Sequence, residues 1–143
     1  ENLKVPSLFK KVNKSIIQST NELLASCGLS DLAYVKASNI SHGDQKLLEL
    51  GMALALNPKL IFLDEPKAGV SAEEKERIIS MILNLKENNI IPVLIEHDME
   101  TIFRIADKII VMNNGELLAE GNPEEVKNNE FVKKVYLKEE IYE

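Results

Sequence analysis

One cysteine in 143 residues excludes an internal disulfide and fits a reducing cytoplasm. That residue, Cys27, lies among Leu23, Leu24 and Leu29, the surroundings of a buried structural thiol rather than a reactive one. Basic charge is also short. Seventeen Lys and Arg stand against 23 Asp and Glu, a net charge of −6, whereas a DNA-binding face needs clustered Lys and Arg. No apolar run approaches the ~18 residues that span a bilayer, and no signal peptide opens the chain. Internal repeats and low-complexity tracts are absent. Glycine is scarce: none of the six is followed by Lys, so the Gly-x-x-x-x-Gly-Lys-Ser/Thr loop that cradles phosphates is missing. What remains, 45% apolar and 28% charged, is ordinary for one globular domain with its own core.

The most informative stretch present is Leu60-Ile61-Phe62-Leu63-Asp64-Glu65-Pro66. Four apolar residues in a row read as a strand of a parallel sheet, buried on both faces. Pro66 cannot continue a central strand, so Asp64 and Glu65 fall at its C-terminal edge, where open α/β sheets place ligands. One carboxylate there can hold a magnesium ion, directly or through water, and the other can orient or deprotonate a water. Taken alone, the pair reads equally well as solvated acids at a strand end. A second apolar run, residues 90–95, ends in Glu96-His97-Asp98.

These runs keep company with Ile40-Ser41-His42-Gly43-Asp44-Gln45 upstream and Ala68-Gly69-Val70-Ser71 between them. The ordered set resembles the ATP-binding subunits of ABC transporters: signature motif, Walker B with its following glutamate, D-loop and switch histidine. The wording of residues 41–49 looks most like the branched-chain amino-acid and urea uptake branch. The resemblance implies an α/β fold, the C-terminal part of a P-loop ATPase core with parallel strands, a C-terminal β-hairpin and a helical subdomain. It places a partial helical subdomain at 1–43 and the core at 44–143. It implies that Ser41, His42, Gly43, Asp44 and Gln45 meet the ATP of an opposite subunit, and that Gly69, Val70 and Ser71 form the D-loop. It further implies that Asp64 holds Mg through water, Glu65 polarises the attacking water and His97 senses the γ-phosphate. His42 stands where the commonest signature has glycine, and Ser71 where the D-loop often ends in Asp.

The same resemblance makes the cofactors ATP and Mg, and the partners a second ATP-binding subunit and membrane permease subunits met through the helical subdomain. It implies no contact with nucleic acid or with the transported solute, and a cytoplasmic place on the inner face of the cell membrane. The opening Glu1-Asn2-Leu3 reads as internal to such a subunit, with the Walker A loop upstream; the part in hand is then expected to be inactive alone. Two rivals are the C-terminal head piece of a DNA-repair or chromosome-type ABC ATPase, and a non-catalytic half-domain acting as an interaction module. The first calls for a heptad coiled coil before the signature, and residues 1–39 show none. Intact Glu65 and His97 argue against the second.

Periodicity and punctuation supply the remaining elements. An amphipathic helix over 10–27 uses Val12, Ile16, Leu23 and Leu24 and stops at Gly28. Short helix or loop follows over 30–39. A buried helix runs from Gly43 or Asp44 to about Leu56, with Gly51 marking close packing. Ser71-Ala72-Glu73-Glu74 is a capping box for a helix with an inward stripe of Ile78, Ile79, Ile82, Leu83 and Leu85. Asp98 caps another helix, and Asn114-Gly115 joins strands over 108–112 and 116–120. Asn122-Pro123-Glu124-Glu125 opens a further helix, and Phe131, Val132, Val135 and Tyr136 form the docking face of a last one. By the resemblance, an interior strand position between 90–95 and 108–112 is left empty, facing Val93, Ile95, Ile109 and Val111. The chain is then expected to rearrange its strands or to associate through the gap.

Overall fold

A computed structural model describes residues 13–137. Helix α1 (Lys14–Ser26) is capped by the Asn13 side chain and ends where Gly28 takes φ +67°, a left-handed stop that glycine adopts without strain. The predicted start of this helix, and Val12 with it, lies outside the described residues. Two single turns, Ser30–Leu32 and Ala37–Asn39, lead to α2 (His42–Leu54), whose N-cap is Ser41. Strand β1 (Leu60–Asp64), helix α3 (Ala72–Glu87) and strand β2 (Ile91–Ile95) form a β-α-β unit, with β1 and β2 parallel and Asp64 opposite Ile95. Helix α4 (Met99–Ile105) precedes the antiparallel hairpin of β3 (Ile109–Asn113) and β4 (Glu116–Gly121). Asn114 and Gly115 both have positive φ there, as a two-residue turn matched to strand twist requires. Helix α5 (Pro123–Asn128) and a helical tail through Leu137 close the described chain.

Two apolar clusters hold these elements. The larger joins Cys27 and Leu29 to Leu47 and Leu50 of α2, Ile61 of β1, the α3 stripe and Ile105. The smaller packs Ile109 and Val111 against Val126 and Val132. The α3 stripe is Ile78, Ile79, Met81, Ile82 and Leu85; Leu83, expected to face inward, lies on the far side and is exposed. Cutting Ile82 back to Ala removes a side chain only 1% exposed, and core truncations of this kind cost about 2–5 kcal/mol.

Several expectations are corrected. β1 is buried on one face only: Ile61 is in the core, whereas Phe62 on the other face is 70% exposed. Its register partner Val93 and the neighbouring Leu60, Ile91 and Ile95 share that open face. Hydropathy supplies an apolar face but not the element that covers it, and among the described residues none does. α2 is likewise one-sided, with Gly43, Leu47, Leu50 and Gly51 buried and Met52 exposed. Among the described side chains of the tail only Val132 is buried; Phe131, Val135 and Tyr136 are exposed. β2 and β3 are not hydrogen-bonded to each other, and the strands form two separate pairs, so no rearrangement closes the expected gap. Ile109 and Val111 do not face it, because α5 and Val132 bury them in the second cluster.

Gly51 shows how closely α2 approaches the end of α1. A Cβ placed there lies 2.8 Å from the Cys27 sulfur, a short side chain already fixed in the core. Gly51→Ala is therefore expected to destabilise the protein, because overpacking costs of ~1–3 kcal/mol exceed the ~1 kcal/mol gained in helix propensity. Urea unfolding reads this. In a Cys27→Ala background the same change should turn stabilising, since the clash is gone.

Candidate functional site

Because β1 and β2 are parallel and in register at their ends, the loops that follow them emerge side by side. Glu65 extends the ladder by donating its N–H to the Ile95 carbonyl at 3.0 Å, then takes φ 43°. A left-handed glutamate is uncommon, and a residue before proline is restricted as well. The strained backbone turns the side chain toward the second loop, where Glu65 Oε1 lies 3.2 Å from His97 Nδ1. Strain of this kind gathers at functional sites. Both members are accessible, with His97 78% and Glu65 49% exposed. Asp64 sits beside them at the strand end, exposed and without an ion pair to any described side chain.

The signature and D-loop residues come together as a second group. The carboxylate of Glu74, on the first turn of α3, accepts from the Ser41 hydroxyl at 2.7 Å and from the Gly43 N–H at 3.2 Å. Its other oxygen accepts from the N–H and hydroxyl of Ser71, each at 2.9 Å. One side chain thus closes the capping box of α3 and also sits on the N-terminus of α2, where free N–H groups and the helix dipole favour an anion. A Cβ at Gly43 would meet the Glu74 side chain, so a larger residue there would push that carboxylate off the start of α2. The His42 ring lies over Gly69, 3.6 Å from where its Cβ would be. Asp44 and Gln45 face inward to the scaffold. Asp44 pairs with Arg77 at 2.7 Å, and Gln45 donates to the Ala37 carbonyl at 3.0 Å. Val70 packs on the larger core.

A third set of residues was not legible in the motifs. Lys67, only 5% exposed, donates to Asp98 Oδ2 at 2.7 Å and to the Thr101 hydroxyl at 2.6 Å. The Glu96 carboxylate, 3% exposed, lies 3.9 Å from the same ammonium, and its Oε1 accepts no hydrogen bond from any described residue. The Lys67 ammonium, followed by the Thr101 hydroxyl, holds the Asp98 carboxyl well below the usual carboxylate range. Asp98 caps α4 as expected, but its partner Lys67 is 31 residues away and carried no local signal.

For a magnesium ion, the donor chemistry fits in part. Asp64 and Glu65 offer hard carboxylate oxygens at one strand end, yet no group of three potential ligands occurs among the described residues. Mg²⁺ commonly takes one or two carboxylates and completes its octahedron with waters and substrate phosphates, so two acids are enough. No helix among the described residues is long and apolar enough to cross a membrane.

Comparison with known proteins gives concordant results. The family described as ABC transporter matches residues 4–68. The high-affinity branched-chain amino acid transport ATP-binding protein LivG of Escherichia coli K12 is 37% identical over 138 residues, covering 96% of this chain and 54% of LivG. The corresponding protein BraF of Pseudomonas aeruginosa is 34% identical over 132 residues, 92% of this chain and 52% of BraF. Among solved structures, the ADP conformation of an ATP-binding cassette of an ABC transporter superposes with a TM-score of 0.79 at 32% identity, covering 92% of this chain and 54% of that one. The chain thus spans about half the length of the curated relatives it matches.

The Glu74 bridge carries a pH signature. The hydrogen bond from the Ser41 hydroxyl, then those from the Ser71 backbone and hydroxyl, lower its carboxyl from the ordinary 4.5 to about 2. The unfolded chain therefore takes up this proton first as pH falls, and stability from the bridge is full above pH 4.5 and lost toward pH 2. The stability difference between wild type and Glu74→Gln, measured by urea unfolding, should be largest above pH 4.5 and shrink steadily below it.

Proposed function

The chain belongs to the ABC transporter ATP-binding family over the span it covers, and on that premise we propose that it is the C-terminal part of an ATPase subunit powering import of branched-chain amino acids or a related small solute. The observation that carries the reading is the Glu65–His97 contact at the shared edge of β1 and β2, with Asp64 beside it. Names of the matched relatives support transport over a DNA-repair head, and an intact acid–histidine pair speaks against a purely structural half-domain.

In this reading Glu65 accepts a hydrogen bond from the attacking water and orients it, as a positioned carboxylate can. His97, held through Nδ1 by Glu65, presents Nε2 outward to a phosphate oxygen; a protonated ring donates from both nitrogens at once. Asp64 would hold Mg²⁺ through water, and the metal would neutralise charge developing on the phosphates. Ser41 and Gly43 offer a hydroxyl and an N–H at the start of α2 to an anion from an opposing subunit, in the place Glu74 now occupies. His42, Asp44 and Gln45 complete that motif, and Gly69, Val70 and Ser71 form the D-loop beside it. A second ATP-binding subunit and membrane permease subunits are the implied partners, the latter through the helical region before α2. The subunit would then work at the cytoplasmic face of the membrane.

Two measurements test this. Titration of the chain itself with magnesium-ATP by calorimetry should show no binding in the micromolar range, because the phosphate-cradling loop is absent from its sequence. Joined to the N-terminal part of the E. coli LivG protein, the chain should hydrolyse ATP and restore leucine uptake to cells lacking LivG. Glu65→Gln in that fusion should lower turnover by about 10²-fold or more while nucleotide binding persists. Hydrolysis at the unmodified rate in the Gln variant would remove Glu65 from its role.

A further inference from the structure

The Glu65–His97 pair is too exposed to define its own geometry. Two accessible side chains in contact gain little in water, so that contact alone does not fix them. Something buried must hold the two loops, and directly behind them lies a lysine with three oxygen-bearing side chains around it. Lys67 follows Glu65 by two residues. Two of its partners, Glu96 and Asp98, are the residues on either side of His97, and the third, Thr101, anchors the first turn of α4. The ammonium is almost wholly shielded from water, as is the Glu96 carboxylate. A charge in such a place is retained only when paired, and breaking the pair leaves an uncompensated buried charge.

We infer that Lys67 is a positioning residue for the Glu65–His97 pair, clamping the loop after β1 to both flanks of His97. This rests on the functional reading of Glu65 and His97 given above. The clamp works through the backbone. With Glu96 drawn to the ammonium on one side and Asp98 bonded to it on the other, the intervening peptide can place the His97 ring only on the outer surface, toward Glu65. The Asp98 carboxylate is engaged twice more, accepting from the Thr101 hydroxyl at 2.8 Å and its N–H at 3.3 Å, so the loop is tied to α4 as well as to Lys67. An apolar side chain at position 67 would fill the space and tie neither loop.

The test uses this chain and needs no ATPase activity, so it can fail independently of the functional reading. The sequence holds two histidines, His42 and His97, so each imidazole is resolved by nuclear magnetic resonance with carbon and nitrogen labels. In wild type, neutral His97 should populate the tautomer protonated on Nδ1, which donates to Glu65, and should show a cross-relaxation contact between its ring and the Glu65 side chain. Glu65→Gln should weaken the first signal, establishing that it reports the pair. Lys67→Met should lose both the tautomer preference and the contact, while His42 stays unchanged. Ile82→Ala, which weakens the core without touching the clamp, should keep both; this separates positioning from general destabilisation. If Lys67→Met does not fold because Glu96 is left unpaired, Lys67→Met/Glu96→Gln removes clamp and charge together and gives the same readout. The inference is overturned if the His97 signals persist in the folded Lys67 variant, or if Ile82→Ala abolishes them equally.

Discussion

The parallel pairing of β1 with β2 is the constraint on which the rest depends. Parallel neighbours cannot be joined by a tight turn; the chain must cross over, and α3 is the crossover. For that helix to lie back on the sheet it must present an apolar stripe, and Ile78, Ile79, Ile82 and Leu85 supply it against Ile61. Once the crossover is in place, both strands end on the same edge. Glu65 and His97, 32 residues apart, then become neighbours without either having been specified relative to the other.

Charge performs the finer placement, and its two forms differ in kind. Lys67 acts from inside: its ammonium is shielded from water, so its attraction to Asp98 and Glu96 is little screened. Glu74 acts at the surface, where direct hydrogen bonds from Ser41, Gly43 and Ser71 do the work and net Coulomb attraction would be weak. Both side chains join segments lying more than thirty residues apart. Lys67 links the two strand-end loops, and Glu74 links the start of α2 to the start of α3. The exposed groups that meet a nucleotide in the proposed function are thus carried on loops whose geometry is decided by residues that would not meet it.

The open apolar face of the first sheet has a related origin. Leu60, Phe62, Ile91, Val93 and Ile95 alternate with residues turned toward the core, of which Ile61 is buried and Leu63 and Leu94 partly so, giving the pattern of a doubly covered strand. Covering is a property of neighbours. The described residues supply helices to one side only, which is why continuous hydropathy overstates burial for β1 and for α2 alike.

Features whose partners are close in sequence were legible in the amino-acid sequence itself. The caps at Ser71, Asp98 and Asn122, and the Asn114-Gly115 turn, appear where expected. Each is closed by a residue no more than three positions away, so local composition suffices. Apolar runs ending in polar residues also marked Asp64, Glu65 and His97 as strand-end residues, with Pro66 closing the first run and Glu96-His97-Asp98 the second. Three matters were decided only by tertiary structure: that Glu74 reaches back to Ser41 and Gly43, that Lys67 is buried between Asp98, Thr101 and Glu96, and that Leu83 and Phe62 lie outside while Met81 lies inside. A lysine in a turn, like Lys67, or a glutamate in the charged first turn of a helix, like Glu74, looks solvated from sequence, because nothing local distinguishes a side chain turned to water from one turned to a partner. That distinction arises only when the crossover brings two distant loops within a hydrogen bond of each other.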